Sequence, residues 1–437
     1  MSAARHLVQG GLSVAVLEAR DRVGGRTYAK QLGEGIFDMG GQFVGAKQHR
    51  IHALAKEFDL ELMRVQQVEE GKKIQDFNGV QSTFTTAVPL LSFWKPFPLV
   101  NLAGLGLTVL CLERSRKQIP ADRPWDARKA LKWDRRTVSG WLRDAWWRPR
   151  QVSGMFDAVV HGMFGANASE DSLLNFLHFL QTTDGFQEVA EGQRFRFANG
   201  SQQMSLKMAE GLGERVILEA PVHEIAQDND GVTVHSGKGA WRGRYVVISV
   251  PLPLVNRIHF SPELPPERQL LAQRSYMGSI VKCLTLYDRP FWRDAGFVGE
   301  VLSDREPIAA VFDNSHPDSG QACLLSFIAG KHAYYWNKYP EKERRDSVLK
   351  LLEGWFGPEA GKPTLYHEYN WGEQAWTQGC PIANFSTGNI SLLGKEYGPP
   401  LGRIHWASSE LSHEWISYME GGLASGENTA KEILAIA

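Results

Sequence analysis

The first sixty residues alternate between apolar runs of two different periods. Residues 2–9 have the pattern of a crossover helix, and the apolar run Leu12–Leu17 predicts a strand. After a glycine-rich loop, a second helix is predicted near 48–58, because apolar residues recur there at helical spacing, at Ile51, Leu54, Ala55 and Phe58. Helix and strand in alternation indicate an α/β fold.

Longer helical periods, rich in tryptophan and phenylalanine, replace this alternation between about 67 and 196 and predict a separate helical lobe. Strand-like runs return at 216–218, 232–234 and 245–250, and the last is nearly all β-branched, as expected of a strand buried on both faces. Strands and helices mix from about 272 to 373. A strand at 404–407 and a helix over about 418–433 complete the pattern.

These changes of pattern predict a mixed α/β and α+β fold of two discontinuous domains, which suits a chain of 437 residues. The first domain is assigned to 1–66, 197–271 and 374–437. The second, inserted domain is assigned to 67–196 and 272–373. We expect the strands at 12–17 and 246–250 to lie in one sheet of the first domain.

Composition narrows the classes of function. With 43% hydrophobic residues, 22% charged residues and a net charge of −1, the chain resembles an ordinary soluble protein and has no basic excess for nucleic acid. Its four cysteines form no C-x-x-C pair, so reduced thiols and a cytoplasmic location are expected. His49 and His52 lack partner ligands at suitable spacing, so no metal site is expected.

One apolar run, at 97–112, raises the question of a membrane anchor. It is shorter than the roughly 20 residues that span a bilayer. We therefore expect a buried or surface-docked helix there and no membrane anchor.

Glu18 ends an apolar strand, where a dinucleotide-binding unit carries the acid that holds the ribose hydroxyls. Taken alone, Glu18 is equally well a solvated residue at a strand end. The first strand and glycine-rich turn of such a unit are not found before the helix at 2–9. We therefore expect a Rossmann-like domain that lacks both, and a truncated chain is one interpretation.

The segment 18–27 reads E-A-R-D-R-V-G-G-R-T and closely resembles the corresponding segment of flavin-containing amine oxidases. Six further segments resemble motifs of that family in the same order and at similar spacing, at 38–45, 200–203, 221–225, 277–282, 371–381 and 410–422. The resemblance covers nearly the whole chain, and it sharpens the limits of the two domains that the changes of pattern motivate. Within the family, monoamine oxidases and bacterial putrescine-type oxidases are the members that it resembles.

The resemblance implies that the Rossmann-like domain binds FAD. The residues that match the family's cofactor-binding positions are Glu18, Ala19, Arg20, Gly25, Arg26, Gly40, Gly41, Gln42, Phe43, Val222, Trp371, Cys380, Glu410 and Met419. Arg26 would pair with the pyrophosphate, a role that suits a permanently charged guanidinium, and a surface ion pair is the alternative. Val222 would present its backbone to the adenine.

Three residues are implied to be catalytic, namely Lys282, Cys380 and Tyr418. Lys282 matches a lysine that holds a water against flavin N5, and the alternative is a strand-edge lysine that reaches solvent. Cys380 matches the cysteine that carries FAD as an 8α thioether in monoamine oxidases, although several microbial relatives bind FAD without a covalent bond. A small buried hydrophobe is the alternative for this cysteine.

Substrate contacts are implied for Gln193, Pro381 and Tyr418. Tyr418 matches one of two aromatic rings that flank the amine in the family, and Pro381 stands where monoamine oxidases have the other. Ser408 replaces a family glycine, and we expect it to demand φ angles that serine disfavours.

The function implied is FAD-dependent oxidative deamination of primary amines or diamines, with dioxygen as acceptor and aldehyde, ammonia and hydrogen peroxide as products. A polyamine oxidase or L-amino-acid oxidase on the same scaffold is an alternative. A truncated, catalytically inactive homologue is an alternative of another class, for which we expect weak or absent FAD binding. A homodimer is left open.

Overall fold

The computed structural model describes residues 1–65, 71–77, 79–85, 99–316 and 319–437. In chain order the α-helices are α1 (Ser2–Gln9), α2 (His49–Glu57), α3 (Leu99–Arg116), α4 (Ala130–Asp134), α5 (Val138–Arg143), α6 (Arg150–Phe164), α7 (Leu173–Thr182), α8 (Phe186–Glu191), α9 (Gln202–Leu212), α10 (Pro266–Gln273), α11 (Phe291–Asp294), α12 (Lys331–Tyr334), α13 (Glu341–Phe356), α14 (Asn389–Leu393) and α15 (Met419–Leu434).

The strands are β1 (Val16–Leu17), β2 (Ala29–Leu32), β3 (Gly35–Asp38), β4 (Phe43–Val44), β5 (Leu62–Arg64), β6 (Lys72–Phe77), β7 (Val80–Phe84), β8 (Phe195–Phe197), β9 (Val216–Ile217), β10 (Val222–Gln227), β11 (Val232–Ser236), β12 (Gly239–Gly243), β13 (Val246–Ile248), β14 (His259–Ser261), β15 (Ser275–Met277), β16 (Ile280–Tyr287), β17 (Phe297–Ser303), β18 (Ala310–Asp313), β19 (Ala322–Ala329), β20 (Leu365–Asn370), β21 (Ala383–Phe385) and β22 (Ile404–Trp406). This mixture of helices and strands confirms the predicted fold class.

The largest sheet has seven strands in the order β20-β16-β19-β18-β17-β6-β7. Its interior strand β16 is buried at every position, which explains its nearly continuous apolar sequence. One face of the sheet packs on α13 through Val348, Leu352 and Trp355. The other face packs on the β2–β3 hairpin and forms part of a large internal cavity.

The strands β6 and β7 correct the prediction of a helical lobe from 67 onwards, because they pair at the edge of the large sheet. The remainder of that lobe, from α3 to α8, is helical as predicted and has a core of leucine and phenylalanine side chains. The predicted boundary between 66 and 67 lies outside the described residues. The domain limits therefore stay a prediction.

The predicted single sheet for 12–17 and 246–250 is wrong. β1 pairs in parallel with β9, and β13 pairs in parallel with β22, in two separate two-stranded sheets. Among the described residues each of β1 and β13 has one partner strand, and residues 12–18 and 245–250 line the same cavity. The strand predicted at 12–17 is reduced to Val16–Leu17, because only that part has a neighbour to pair with. We call the space between β1 and β13 the interstrand cleft.

The apolar run at 97–112 becomes α3, whose first predicted residues, 97 and 98, lie outside the described residues. The helix packs on α6 and α7. Among the described residues, no helix is both long enough and apolar enough to cross a membrane.

Candidate active site

A cavity with a volume of about 1950 Å³ is lined by residues of the large sheet, of α6 to α8 and of β1 and β13. Ordinary small-molecule pockets measure roughly 300–1,000 Å³, so this cavity has room for a dinucleotide and a substrate together. One end is bordered by α1, β1, β13 and the start of α15, and we call it the nucleotide end because the residues predicted to bind the nucleotide lie there. The other end is bordered by the large sheet and by α6, α7 and α8, and we call it the substrate end because the residues predicted to contact the substrate lie there.

At the nucleotide end, Glu18 and Ala19 follow β1 directly and line the cavity. The Glu18 carboxylate accepts a hydrogen bond of 2.9 Å from the backbone N–H of Arg20, which fixes its direction. Burial raises the pKa of Glu18 above its ordinary value. Val222, the first residue of β10, lines the same end. The structure therefore brings together the predicted ribose and adenine positions.

Two glycine pairs border the cavity at its middle. Gly25 has a φ of +57°, and a β-carbon added to Gly25 or Gly41 would meet no atom within 4 Å. A β-carbon on Gly40 would lie 2.0 Å from the carbonyl oxygen of Arg26. Gly40 is therefore required for close packing of two loops, whereas Gly25 and Gly41 expose bare backbone to the cavity.

Arg26 and Glu410 form an ion pair that joins the loop after β1 to the segment after β22. The second guanidinium nitrogen of Arg26 donates to Glu410 at 3.0 Å and to Ser409 at 2.9 Å, and the first donates to the Pro381 carbonyl at 2.6 Å. Although burial opposes ionisation, the pair with Arg26 holds the pKa of Glu410 below its ordinary value. The predicted role of Arg26 on a pyrophosphate stays a prediction.

Lys282 lies on the interior strand β16 with 3% of its surface exposed, which excludes the alternative of a solvent-reaching lysine. Its ammonium donates to the backbone carbonyls of Asp38 at 3.0 Å and Gly40 at 2.7 Å, and to the side-chain oxygen of Gln42 at 2.5 Å. The ring of Phe327 lies 5.3 Å away. Burial lowers the pKa of Lys282 to about 8. The result is a desolvated cation held on the cavity floor.

A second layer of polar groups holds Lys282's partners in place. The Asp38 carboxylate accepts from the Ser201 backbone N–H and hydroxyl, both at 2.9 Å, and burial raises the pKa of Asp38 to about 6. The Gln42 amide donates to Asn314 at 3.1 Å. Sequence reasoning missed Asp38, Ser201 and Asn314 as site residues. Asp38 and Ser201 lie inside the family-like segments 38–45 and 200–203, so the glycines beside them in these segments were the signal that could have identified them.

Trp371 and Arg20, which belongs to the loop 18–27, line one side of the cavity. Trp371 is fully buried, and its indole N–H donates to the Met39 carbonyl at 2.7 Å. The Arg20 guanidinium lies 6.0 Å from the Trp371 ring and donates to Thr377 at 3.1 Å. Its other terminal nitrogen is buried without a hydrogen-bond partner among the described residues. An unpartnered cationic donor here indicates a place for an acceptor group.

Cys380 is a free thiol that lines the cavity and has 6% of its surface exposed. Its backbone N–H donates to the Gly278 carbonyl at 2.8 Å. A β-carbon on the preceding Gly379 would lie 2.1 Å from that same carbonyl, so the glycine permits the close crossing that positions the thiol. Burial raises the pKa of the Cys380 thiol to about 11.

Aromatic rings form the wall of the substrate end. Tyr418 stacks on Phe179 with ring centroids 6.0 Å apart and meets Trp415 edge-on at 5.2 Å. Tyr418, Phe179, Gln193 and Pro381 all line the cavity, so the three predicted substrate residues are brought together. Phe179 was not predicted as a site residue, because a phenylalanine in an apolar helix is usually part of the hydrophobic core.

Three more predicted cofactor residues lie around the same space. Phe43 and Gln42 follow the 40–41 glycine pair and line the cavity, and Met419 begins α15, whose N-terminal end faces it. A helix N-terminus favours negative charge nearby. The strain predicted at Ser408 is wrong: its φ is −155°, an extended value open to any residue.

Comparison with known proteins places these features in a family. Residues 1–434 match the sequence model described as flavin containing amine oxidoreductase. The probable flavin-containing monoamine oxidase A of Dictyostelium discoideum is 34% identical over 99% of this chain and 94% of that protein. The flavin-containing amine oxidase B of Cavia porcellus is 35% identical over 99% of this chain and 84% of that protein.

Solved structures agree with these sequence matches. Wild-type putrescine oxidase bound to putrescine superposes with a TM-score of 0.93 at 28% identity, covering 99% of this chain and 96% of that one. Cyclohexylamine oxidase from Brevibacterium oxydans IH-35A superposes with a TM-score of 0.92 at 30% identity, covering 100% of this chain and 96% of that one.

Proposed function

Because this chain belongs to the flavin-containing amine oxidoreductase family, we propose that it catalyses FAD-dependent oxidative deamination of primary amines or diamines. Dioxygen and water are consumed, and the products are an aldehyde, ammonia and hydrogen peroxide. The observation that carries the proposal is one continuous cavity, which has Glu18 at its nucleotide end and Lys282 and Tyr418 at its substrate end.

The residues of the nucleotide end fit FAD. Glu18 offers a half-buried, oriented carboxylate to hydroxyl groups, and Gly25 and Gly41 offer bare backbone to a closely approaching ligand. The unpartnered nitrogen of Arg20 and the N-terminal end of α15 suit an anionic or polar group. FAD, when bound, would supply the acceptor for one hydride equivalent, that is, a proton with two electrons, which leaves the amine's α-carbon.

The chain's own residues supply the rest of the chemistry. The stacked rings of Tyr418 and Phe179 make an apolar wall that excludes water and favours a neutral amine over an ammonium. Lys282 places a desolvated cation on the floor, where it stabilises the negative charge that dioxygen acquires on reduction. Its three acceptors fix its position without neutralising its charge.

A specific observation favours amines over amino acids. An amino-acid oxidase needs a cationic partner for the substrate carboxylate. Besides Lys282, the described cations at the substrate end are Arg194, paired with Glu191 at 2.8 Å, and Lys73, paired with Glu300 at 2.8 Å. Each of these cations therefore has a carboxylate beside it that would repel a substrate carboxylate, although the buried Nε of Arg194 has no hydrogen-bond partner among the described residues.

Peroxide release tests the proposal directly. The purified protein with FAD is assayed against benzylamine, putrescine, spermidine and leucine. We expect turnover of benzylamine or putrescine, and turnover of leucine alone would refute the proposal.

The alternative of a catalytically inactive homologue has its own supporting observation, the interstrand cleft, since two strands with one partner each make a weaker frame for a nucleotide site. The visible spectrum decides between the two. Stoichiometric flavin absorption together with amine turnover would exclude the inactive form.

A cytoplasmic location and a homodimer complete the proposal. The four free thiols support a reducing compartment. Fractionation of the source cells tests the location, and size-exclusion chromatography with light scattering tests the dimer.

A further inference from the structure

The floor of the substrate end is a row of side chains that crosses four strands of the large sheet. Lys282 on β16 is opposite Phe327 on β19, Phe327 is opposite Ala310 on β18, and Ala310 is opposite Leu302 on β17. Directly opposite residues share a face of a sheet, and all four line the cavity. The floor therefore runs continuously away from Lys282.

A buried ion pair lies at the far end of this floor. Lys73 on β6 and Glu300 on β17 are 2.8 Å apart, with 5% and 8% of their side-chain surfaces exposed, and both line the cavity. Neighbouring strands are about 4.8 Å apart, so β17, three strands from β16, lies roughly 14 Å from Lys282's strand. This distance leaves room for an extended substrate between Lys282 and the Lys73–Glu300 pair.

The chemistry of the pair defines what it accepts. A carboxylate has two oxygens and an ammonium has three N–H donors, so one contact between them leaves both an acceptor and donors for a ligand. The pair carries no net charge. An ammonium that approaches Glu300 also approaches Lys73, and a carboxylate that approaches Lys73 also approaches Glu300, because the two charges are 2.8 Å apart. Attraction and repulsion then nearly cancel, and the cost of removing the ligand's own charge from water is left uncompensated. A neutral group that both donates and accepts, such as a hydroxyl, a phenol or a carboxamide, matches it.

We propose that the Lys73–Glu300 pair is a specificity site, which binds a neutral hydrogen-bonding group at the distal end of the substrate amine and disfavours diamines. The inference rests on the proposed function and narrows its substrate class. Both residues are buried, and removing an ion pair from water costs free energy. This cost is consistent with a role of the pair in choosing the substrate rather than in stabilising the fold.

Three amines of equal length provide the probes: octylamine, 8-amino-1-octanol and 1,8-diaminooctane. The measured quantity is kcat/KM for peroxide release by the FAD-loaded protein. The wild type is expected to prefer the amino alcohol to both other amines by about tenfold, the value of one good hydrogen-bonding contact.

Two variants shift the charge of the site in opposite directions. Lys73→Met leaves a net negative site and is expected to raise the ratio of diamine to amino alcohol at least tenfold. Glu300→Gln leaves a net positive site and is expected to lower the same ratio. Lys72→Met, which removes the exposed lysine next in sequence on β6, is the matched control and is expected to leave the ratio unchanged.

Opposite movement of the ratio supports the specificity site, since a merely structural role would make both variants lose activity toward all three amines alike. Equal ratios in wild type and Lys73→Met, at equal flavin content, would overturn the inference. If either single variant fails to bind flavin, the double variant Lys73→Gln/Glu300→Gln is used, because it keeps the site neutral. A preference of this double variant for the diamine would overturn the inference. Absence of peroxide with every amine would instead refute the proposed function itself.

Discussion

Because the ammonium of Lys282 is buried, we predict that its contribution to the free energy of unfolding changes with pH. Its pKa falls from 10.5 to about 8 because burial removes the ammonium from water. At 1.36 kcal/mol per pKa unit, this fall corresponds to about 3 kcal/mol. Between pH 8 and 10.5 the unfolded chain binds this proton more tightly than the folded chain does, so the contribution of Lys282 to folding becomes more favourable as the pH rises.

The perturbation is Lys282→Met, which keeps much of the side-chain volume and removes the titrating group. The free energy of unfolding of wild type and variant is measured in urea at pH 7.5, 9 and 10.5, with tryptophan fluorescence as the signal. We expect the difference, wild type minus variant, to increase by about 3 kcal/mol across this range.

The control is Leu286→Ala, on the same strand. This change removes buried apolar volume, so its cost of about 2–5 kcal/mol is expected to be the same at each pH. If the difference between wild type and Lys282→Met is equally constant, the ammonium is not desolvated in the folded protein, and the reasoning about the cavity floor is refuted.

Three further predictions concern the same site. Glu410→Gln removes the charge partner of Arg26, and we expect the free energy of unfolding in urea to fall by about 3 kcal/mol, while an unchanged midpoint would contradict the role of the pair. Burial raises the pKa of Asp38 from 3.8 to about 6. The contribution of the Asp38 carboxyl to the free energy of unfolding is therefore fully present below pH 3.8 and is lost as the pH rises through 6. Asp38→Asn should remove this loss, seen as a wild-type-minus-variant difference that falls between pH 4 and 7. If Cys380 carries the flavin, acid-precipitated wild type stays yellow and Cys380→Ala releases the colour, whereas complete release from the wild type would refute covalent attachment.

Local patterns predicted the elements whose sequence determines their structure. The helices at 2–9, near 48–58 and from about 418, and the strands at 245–250 and 404–407, were found within a few residues of their predicted limits. Their apolar spacing is set by a buried face, which the sequence displays directly. The position of Lys282 in an apolar run was likewise enough to place it inside the protein.

Long-range pairing could not be predicted in the same way. β6 lies beside β17, more than two hundred residues later in the chain, so nothing local to 72–77 distinguished a sheet strand from the start of a helical lobe. For the same reason the Lys73–Glu300 pair was invisible, because each residue alone resembles a surface charge. The role of Phe179 also depended on what faces it.

The interstrand cleft has a consequence for how the protein behaves without a ligand. Among the described residues each of β1 and β13 has one partner strand, so its backbone N–H and C=O groups on the other side pair with no strand and are a template for one. An extended segment from a second molecule could pair there on both sides, in the same cavity that a dinucleotide would occupy. Cofactor binding and self-association are then competitors for one space, and the light scattered by the protein is expected to fall as FAD is added.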